Sequence, residues 1–314
     1  MRISYSAFDT FNRCPLKYKF SYVERIKVPK KPEFYFGGLI HEIVQYALKK
    51  DPIIPSIDEL LQYLQDHWQE DAFASKQEAK QYFDFGQNML RNFYSSLKPG
   101  LRNIIATEKR FFLPLNDKHV LNGVIDRIDK LPFGAYEVID YKTSKNAPTQ
   151  QDVDRDKQLG IYKLAVKSMW PEAEDIRLTL YFLKHPQKIT TSRRDDEVET
   201  LKEEIIATAE KIEKETDFPP KANNFCNWCE YGNLCPLQKQ KFDKENQKSK
   251  TMPKGKNQNE IENIIKEYVN ATQTIKKLEP QIHKHFDSEK IERFFHKEGV
   301  ITRGKNKKLT IRKS

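Results

Sequence analysis

Between residues 104 and 143 the chain changes texture, and that stretch limits what the whole can fold into. Residues 104–115, 118–130 and 135–143 are rich in β-branched and aromatic side chains, with Asn116-Asp117 and Pro132 to Gly134 between them. The spacing predicts a meander of three strands. Helical periodicity lies on either side. Residues 6–24 carry Phe8, Phe11, Leu16, Phe20 and Val23 at roughly helical spacing, with Ser6 as a candidate cap and Pro15 as a kink or break. A second helix is predicted over 37–49, starting near Gly37-Gly38, and two amphipathic ones over 57–70 and 75–97, ended by Pro99-Gly100. Downstream come a helix at 150–169, a strand at 176–184, a short partner strand at 187–192 and a charged helix at 196–215. The fold class is therefore α/β, a central mixed sheet with helices on both sides and a helical insertion at about 50–100.

The meander also holds the sharpest chemical signal, NGVIDRIDKLPFGAYEVIDYKTSK at 122–145. Asp126 falls in one strand; Asp140 and Lys142 fall in the next, one residue apart. Alternation puts Asp140 and Lys142 on one face. If the strands pair, Asp126 can approach them. Two carboxylates converging from neighbouring strands make a hard-oxygen site for Mg²⁺ or Mn²⁺. A lysine beside them can position and help deprotonate a water, or neutralise charge on a phosphate. An isolated Asp-x-Lys is common by chance on the wet face of a strand, so the company it keeps matters.

Four cysteines form a second constellation: Cys14 alone near the start, then Cys226, Cys229 and Cys235 with C-x₂-C-x₅-C spacing and Pro236 after them. Four thiolates can hold a tetrahedral Zn²⁺ or a [4Fe–4S] cluster. Their chemistry alone does not choose.

Taken in order, GVIDRID, EVIDYKTSK and QLGIYKLA resemble the PD-(D/E)XK nuclease superfamily in its RecB-like branch, over about residues 1–240. The resemblance implies a restriction-endonuclease-like core in which Asp126 and Asp140 ligate the metal, the backbone carbonyl of Tyr141 adds an oxygen and Lys142 is catalytic. It also implies that His41, in FGGLIHE, reaches the metal, and that Gln158 and Tyr162 flank the site and contact DNA. Glu108, in ATEKRF, matches an acidic position that precedes the Asp strand. The cysteine pattern resembles the iron–sulfur nucleases of this superfamily, AddB-type helicase–nuclease proteins and CRISPR-associated exonucleases, in which a cluster staples the two ends of the domain together. The implied substrate is single-stranded or processed DNA ends, stacked on aromatics such as Tyr162 or Trp228, and the implied partner a helicase or CRISPR protein. A chain with these parts could instead be a non-catalytic DNA-binding or scaffold subunit with a structural metal centre. The intact Asp126, Asp140 and Lys142 set speaks against that.

Charge separates the last quarter from the rest. The chain carries 55 Lys+Arg and 45 Asp+Glu, a net +10; residues 237–314 hold 20 basic and 10 acidic side chains, so the excess lies there and 1–236 is neutral. Basic segments of this kind can displace counterions from a phosphate backbone, or be a solvated linker and tail. This basic extension, 241–314, comprises a Lys-rich linker, a helix with an apolar stripe up to Pro280 and a possible hairpin around Gly304-Lys305-Asn306. No run approaches the ~20 apolar residues of a membrane span, the start is unlike a secretory signal, and no ATP-binding G-x₄-G-K-[ST] loop occurs. A cytoplasmic protein is expected, nucleoid-associated if the source is prokaryotic.

Overall fold

Six strands form the main sheet: β1 (Arg2–Ser4), β2 (Ile104–Pro114), β3 (Val120–Lys130), β4 (Tyr136–Lys142), β5 (Ile176–Phe182) and β6 (Gln187–Thr191). They belong to a computed structural model that describes residues 1–28, 31–97, 103–238, 258–296, 299–304 and 309–312. The predicted meander is there, since β2, β3 and β4 are consecutive antiparallel neighbours. β5 then runs parallel to β4, and β6 antiparallel to β5, which makes the sheet mixed.

The pairing around β3 shapes the site. β2 covers one edge along its length. The other edge is shared: β1 pairs in parallel with Val120–Asn122, and β4 pairs with Arg127–Lys130. Among the described residues, Gly123–Asp126 has no strand partner on that side. Past Ile139, β4 leaves β3 and follows β5 as far as Lys142. The sheet therefore forks beside Asp126.

Helices cover both faces. In chain order they are α1 (Tyr5–Arg13), α2 (Pro15–Tyr18), α3 (Pro32–Lys49), α4 (Ile57–Asp66), α5 (Lys76–Ser96), α6 (Gln150–Val153), α7 (Lys157–Met169) and α8 (Asp195–Lys214). One core joins Phe8, Phe11, Val166 and Ile205 of α1, α7 and α8 to Leu121, Ile125, Val138 and Leu178 of the sheet. The other joins Ile40, Ile43, Leu60, Leu64, Leu90 and Phe93 of α3, α4 and α5 to Ile139, Tyr141 and Tyr181. Period-two alternation along β4 sends Val138 to the first core and Ile139 and Tyr141 to the second.

Several boundaries differ from the pattern-based ones. Ser4, not Ser6, caps α1, accepting the Ala7 N–H. Residues 6–24 are not one helix: Cys14, extended at φ −161°, separates α1 from α2, Pro15 starts α2, and a wider-turn helix spans Lys19–Val23. α3 begins at Pro32, which suits a first turn, and Gly37 and Gly38 lie inside it because Phe36 is already in the core. The stretch 150–169 is two helices. Asp156 caps α7 through the Leu159 N–H, and the Arg193 guanidinium donates to the carbonyls of Val153 and Asp156 across the break.

The chain divides into two compact units, Met1–Lys239 and Gln240–Ser314. In the second, α9 (Gln258–Glu289) runs through Pro280 instead of ending there. The expected hairpin forms from β8 (Gly299–Arg303) and β9 (Leu309–Arg312), and β7 (Arg293–His296), which the pattern did not show, adds a third strand. Lys305, Asn306, Pro99-Gly100 and most of the Lys-rich linker lie outside the described residues. Among the described residues no helix is long and apolar enough to cross a membrane.

Candidate active site

The fork in the sheet gathers the chemistry. At the last unpaired position of β3, the Asp126 carboxylate takes the place of a strand: its Oδ2 accepts the Tyr141 N–H at 2.8 Å. The N–H and C=O of one strand residue point to the same side, so the Tyr141 carbonyl faces the same opening. Next along β4, Lys142 Nζ lies 2.6 Å from Asp140 Oδ2, as same-face neighbours should. Lys142 also donates to Gln158 Oε1 at 3.1 Å, Gln158 Nε2 to the Tyr162 hydroxyl at 2.8 Å, and that hydroxyl to Asp140 Oδ1 at 3.1 Å. Gln158 and Tyr162 are one turn apart on α7, so a single helix closes the ring.

Two further elements converge on Asp126. His41, on α3, places Nδ1 3.4 Å from Asp126 Oδ2. Glu108, on β2, adopts φ 45°, a left-handed conformation that costs an L-residue about 1 kcal/mol. His41, Glu108 and Asp126 each offer a ligand atom, and these atoms lie within 4.8 Å of one another. The structure thus sets Glu108 beside His41 and Asp126, while Asp140 joins Lys142, Gln158 and Tyr162.

Electrostatics follow from this crowding. Burial pulls the His41 imidazole down, but the hydrogen bond and charge of Asp126, with Asp140 and Glu108 behind it, outweigh burial and raise it. Glu108 is raised by burial first and by the Asp126 charge second. Burial would lower Lys142, yet the Asp140 carboxylate more than compensates and holds it as an ammonium. In this arrangement the Lys142 ammonium donates to Asp140 and Gln158.

Two points stand apart from the sequence reading. Tyr162 is only 4% exposed, so it cannot offer its face to a nucleobase; its hydroxyl orients Asp140 instead. Trp228 is 67% exposed and remains open to stacking. A buried pair also went unnoticed: Arg127 grips both Asp129 oxygens and donates to the Tyr141 hydroxyl at 3.2 Å, on the strand face opposite Asp126. The spacing of Arg127 and Asp129 in GVIDRID could have shown it, since residues two apart share a face.

The four cysteines share a pocket as well. Cys14, Cys226, Cys229 and Cys235 line one pocket of about 380 Å³. The turn at 222–235 is sewn to the start of the chain: Lys221 Nζ donates to the Asn12 carbonyl, Asn223 Nδ2 to the Arg13 carbonyl, and Lys17 pairs with Glu230 at 3.0 Å. Backbone N–H groups point at sulfur, from Lys221 to Cys14 at 3.5 Å and from Asn223 to Cys226 at 3.2 Å.

The sequence profile of the PD-(D/E)XK nuclease superfamily matches residues 2–236. The chain belongs to that superfamily. Curated relatives include a subunit of the ATP-dependent helicase/deoxyribonuclease of Streptococcus uberis, 25% identical over 154 residues, and its counterpart in Streptococcus agalactiae, 27% identical over 152. Each alignment covers 46% of this chain and 14% of the relative, so the likeness spans about a seventh of those proteins. A solved protein from Eubacterium rectale, provisionally named an exonuclease, aligns with 76% of this chain and 87% of its own, at 12% identity and a TM-score of 0.46. For a superfamily member, the donor set of one imidazole and several carboxylates suits a hard divalent cation.

Proposed function

We propose that the protein is a metal-dependent deoxyribonuclease, an exonuclease acting on single-stranded or processed DNA ends. The observation that carries this is the fork at Asp126, where the Asp126 and Glu108 carboxylates and the His41 imidazole come together from three elements and the Asp140–Lys142 pair lies on β4 beside them. In this reading Asp126, Asp140, His41 and the Tyr141 carbonyl hold Mg²⁺ or Mn²⁺, with Glu108 as a further ligand beside His41. When bound, such an ion lowers the pKa of a coordinated water and offsets charge on the phosphate. The rest falls to the chain. Lys142 donates to the water or to a phosphate oxygen, Gln158 and Tyr162 fix Lys142 and Asp140 in place, and the buried Arg127–Asp129 pair anchors β4 through Tyr141.

The four cysteines are proposed to ligate a [4Fe–4S] cluster. The pocket they line has room for one, and among the described residues no three of these sulfurs lie within 4.8 Å of one another, as the ~2.3 Å bonds of a single zinc ion would require. N–H groups aimed at sulfur are among the features that tune such clusters. The names of the curated relatives make DNA the natural substrate and a helicase-bearing protein the natural partner.

End-labelled single- and double-stranded DNA, incubated with Mg²⁺, Mn²⁺ or EDTA and labelled at either end in turn, tests the reading. Progressive shortening that EDTA stops is the expected result. DNA binding without cleavage in either metal would leave the scaffold alternative.

A further inference from the structure

Among the described residues, nothing crowds the position of Gly38. It lies inside α3, where glycine weakens a helix relative to alanine. A Cβ built there would meet nothing within 4 Å, whereas one on the preceding Gly37 would crowd the Thr143 hydroxyl at 3.3 Å. Packing within the protein explains Gly37 and leaves Gly38 unexplained. The bare backbone of Gly38 forms part of a pocket of about 460 Å³.

The walls are aromatic and carboxylate. Phe34, 69% exposed, stands one turn before Gly38, and Trp68 faces the pocket from the loop after α4. That loop is preformed: the Tyr35 hydroxyl donates to the His67 carbonyl at 2.8 Å and accepts the Gln69 N–H at 2.7 Å, and Phe73 stacks on Trp68 at 5.0 Å. Glu42 and Asp66 complete the lining, each with one oxygen already accepting, from Tyr63 and from Gln62. Carboxylates repel phosphate but accept readily from the amino and ring N–H groups of a base. The site is also close to the fork, since His41 is three residues, about 4.5 Å of helix rise, from Gly38.

We infer that this pocket seats the unpaired nucleobase next to the phosphate held at the Asp126 fork, with Gly38 leaving the space into which the base fits. The inference rests on the nuclease reading and extends it to how the strand is held. Gly38→Ala places its Cβ in this space with no described atom within 4 Å, and Gly38→Leu fills more of it. Both variants should melt at or a few degrees above the wild-type temperature, because alanine and leucine favour helix more than glycine does.

Affinity for a single-stranded oligonucleotide, measured in Ca²⁺, should fall several-fold for Gly38→Ala and tenfold or more for Gly38→Leu. An oligonucleotide of abasic nucleotides should bind the wild type and both variants equally. Unchanged affinity of the variants for base-bearing DNA would overturn the pocket assignment, as would an equal loss for abasic DNA. A wild type that binds and shows this pattern but never cleaves in Mg²⁺ or Mn²⁺ would remove the nuclease reading and leave the pocket.

Discussion

His41 sits where burial and charge oppose each other, and charge prevails. Its raised imidazole is protonated further up the pH scale than a free histidine, and Glu108 holds its proton above the ordinary carboxylate range. Both shifts are upward. The stability they lend is complete below the unfolded values and is lost as pH rises through the folded ones. Metal-free protein should therefore lose stability as pH rises above about 6.5, the free-histidine value. A metal competes with these protons and restores stability on the alkaline side. Titrated with Mn²⁺, the protein should gain more in melting temperature at pH 8 than at pH 6; equal gains would place the ion elsewhere. At this scale the Asp140–Lys142 pair was legible because a period of two decides which strand residues share a face. The sequence could not show the left-handed backbone of Glu108, which no local pattern signals. Nor did it show that Tyr162 is buried against Asp140, because that depends on how α7 lies on the sheet.

At the scale of elements, the three-strand meander was legible because turn residues bound each strand. β1 was not, since three residues carry no periodicity and gain their place only by pairing with Val120–Asn122. The break at Cys14 matters most. By ending α1 and letting Pro15 start α2, it leaves Cys14 between the two helices, where it lines one pocket with Cys226, Cys229 and Cys235. The proposed cluster would close a loop of some 200 residues, a constraint of about 5 kcal/mol by the chain-entropy estimate. Anaerobically purified protein should be brown, absorb broadly near ~400 nm and hold about four irons. Cys14→Ser should destabilise it as much as Cys229→Ser, because the staple needs both ends. A colourless, fully active protein with one zinc would remove the iron–sulfur proposal and leave the active site untouched.

Across the whole molecule, charge and chemistry occupy different parts of the chain. Residues 1–236 are neutral and hold every proposed ligand, while 237–314 carry the net +10. In the second unit two residues of the apolar stripe of α9 are exposed, Tyr268 at 72% and Ile275 at 55%. Ending the chain at Lys256 removes the six basic residues of 300–314 and should weaken DNA binding. The slope of log affinity against log salt should become shallower by up to about 4, at roughly 0.7 per single-strand phosphate. Coinciding slopes, with a lower melting temperature or a lost protein complex, would make that unit a packing or docking element. The fork at Asp126 remains the claim on which the rest depends. Cleavage and DNA affinity should be measured together for Asp126→Ala, Asp140→Ala and Lys142→Ala in Mn²⁺. Each variant should lose cleavage by at least a hundredfold while binding DNA within a few-fold of wild type, and cleavage by Asp140→Ala at the wild-type rate would contradict the site.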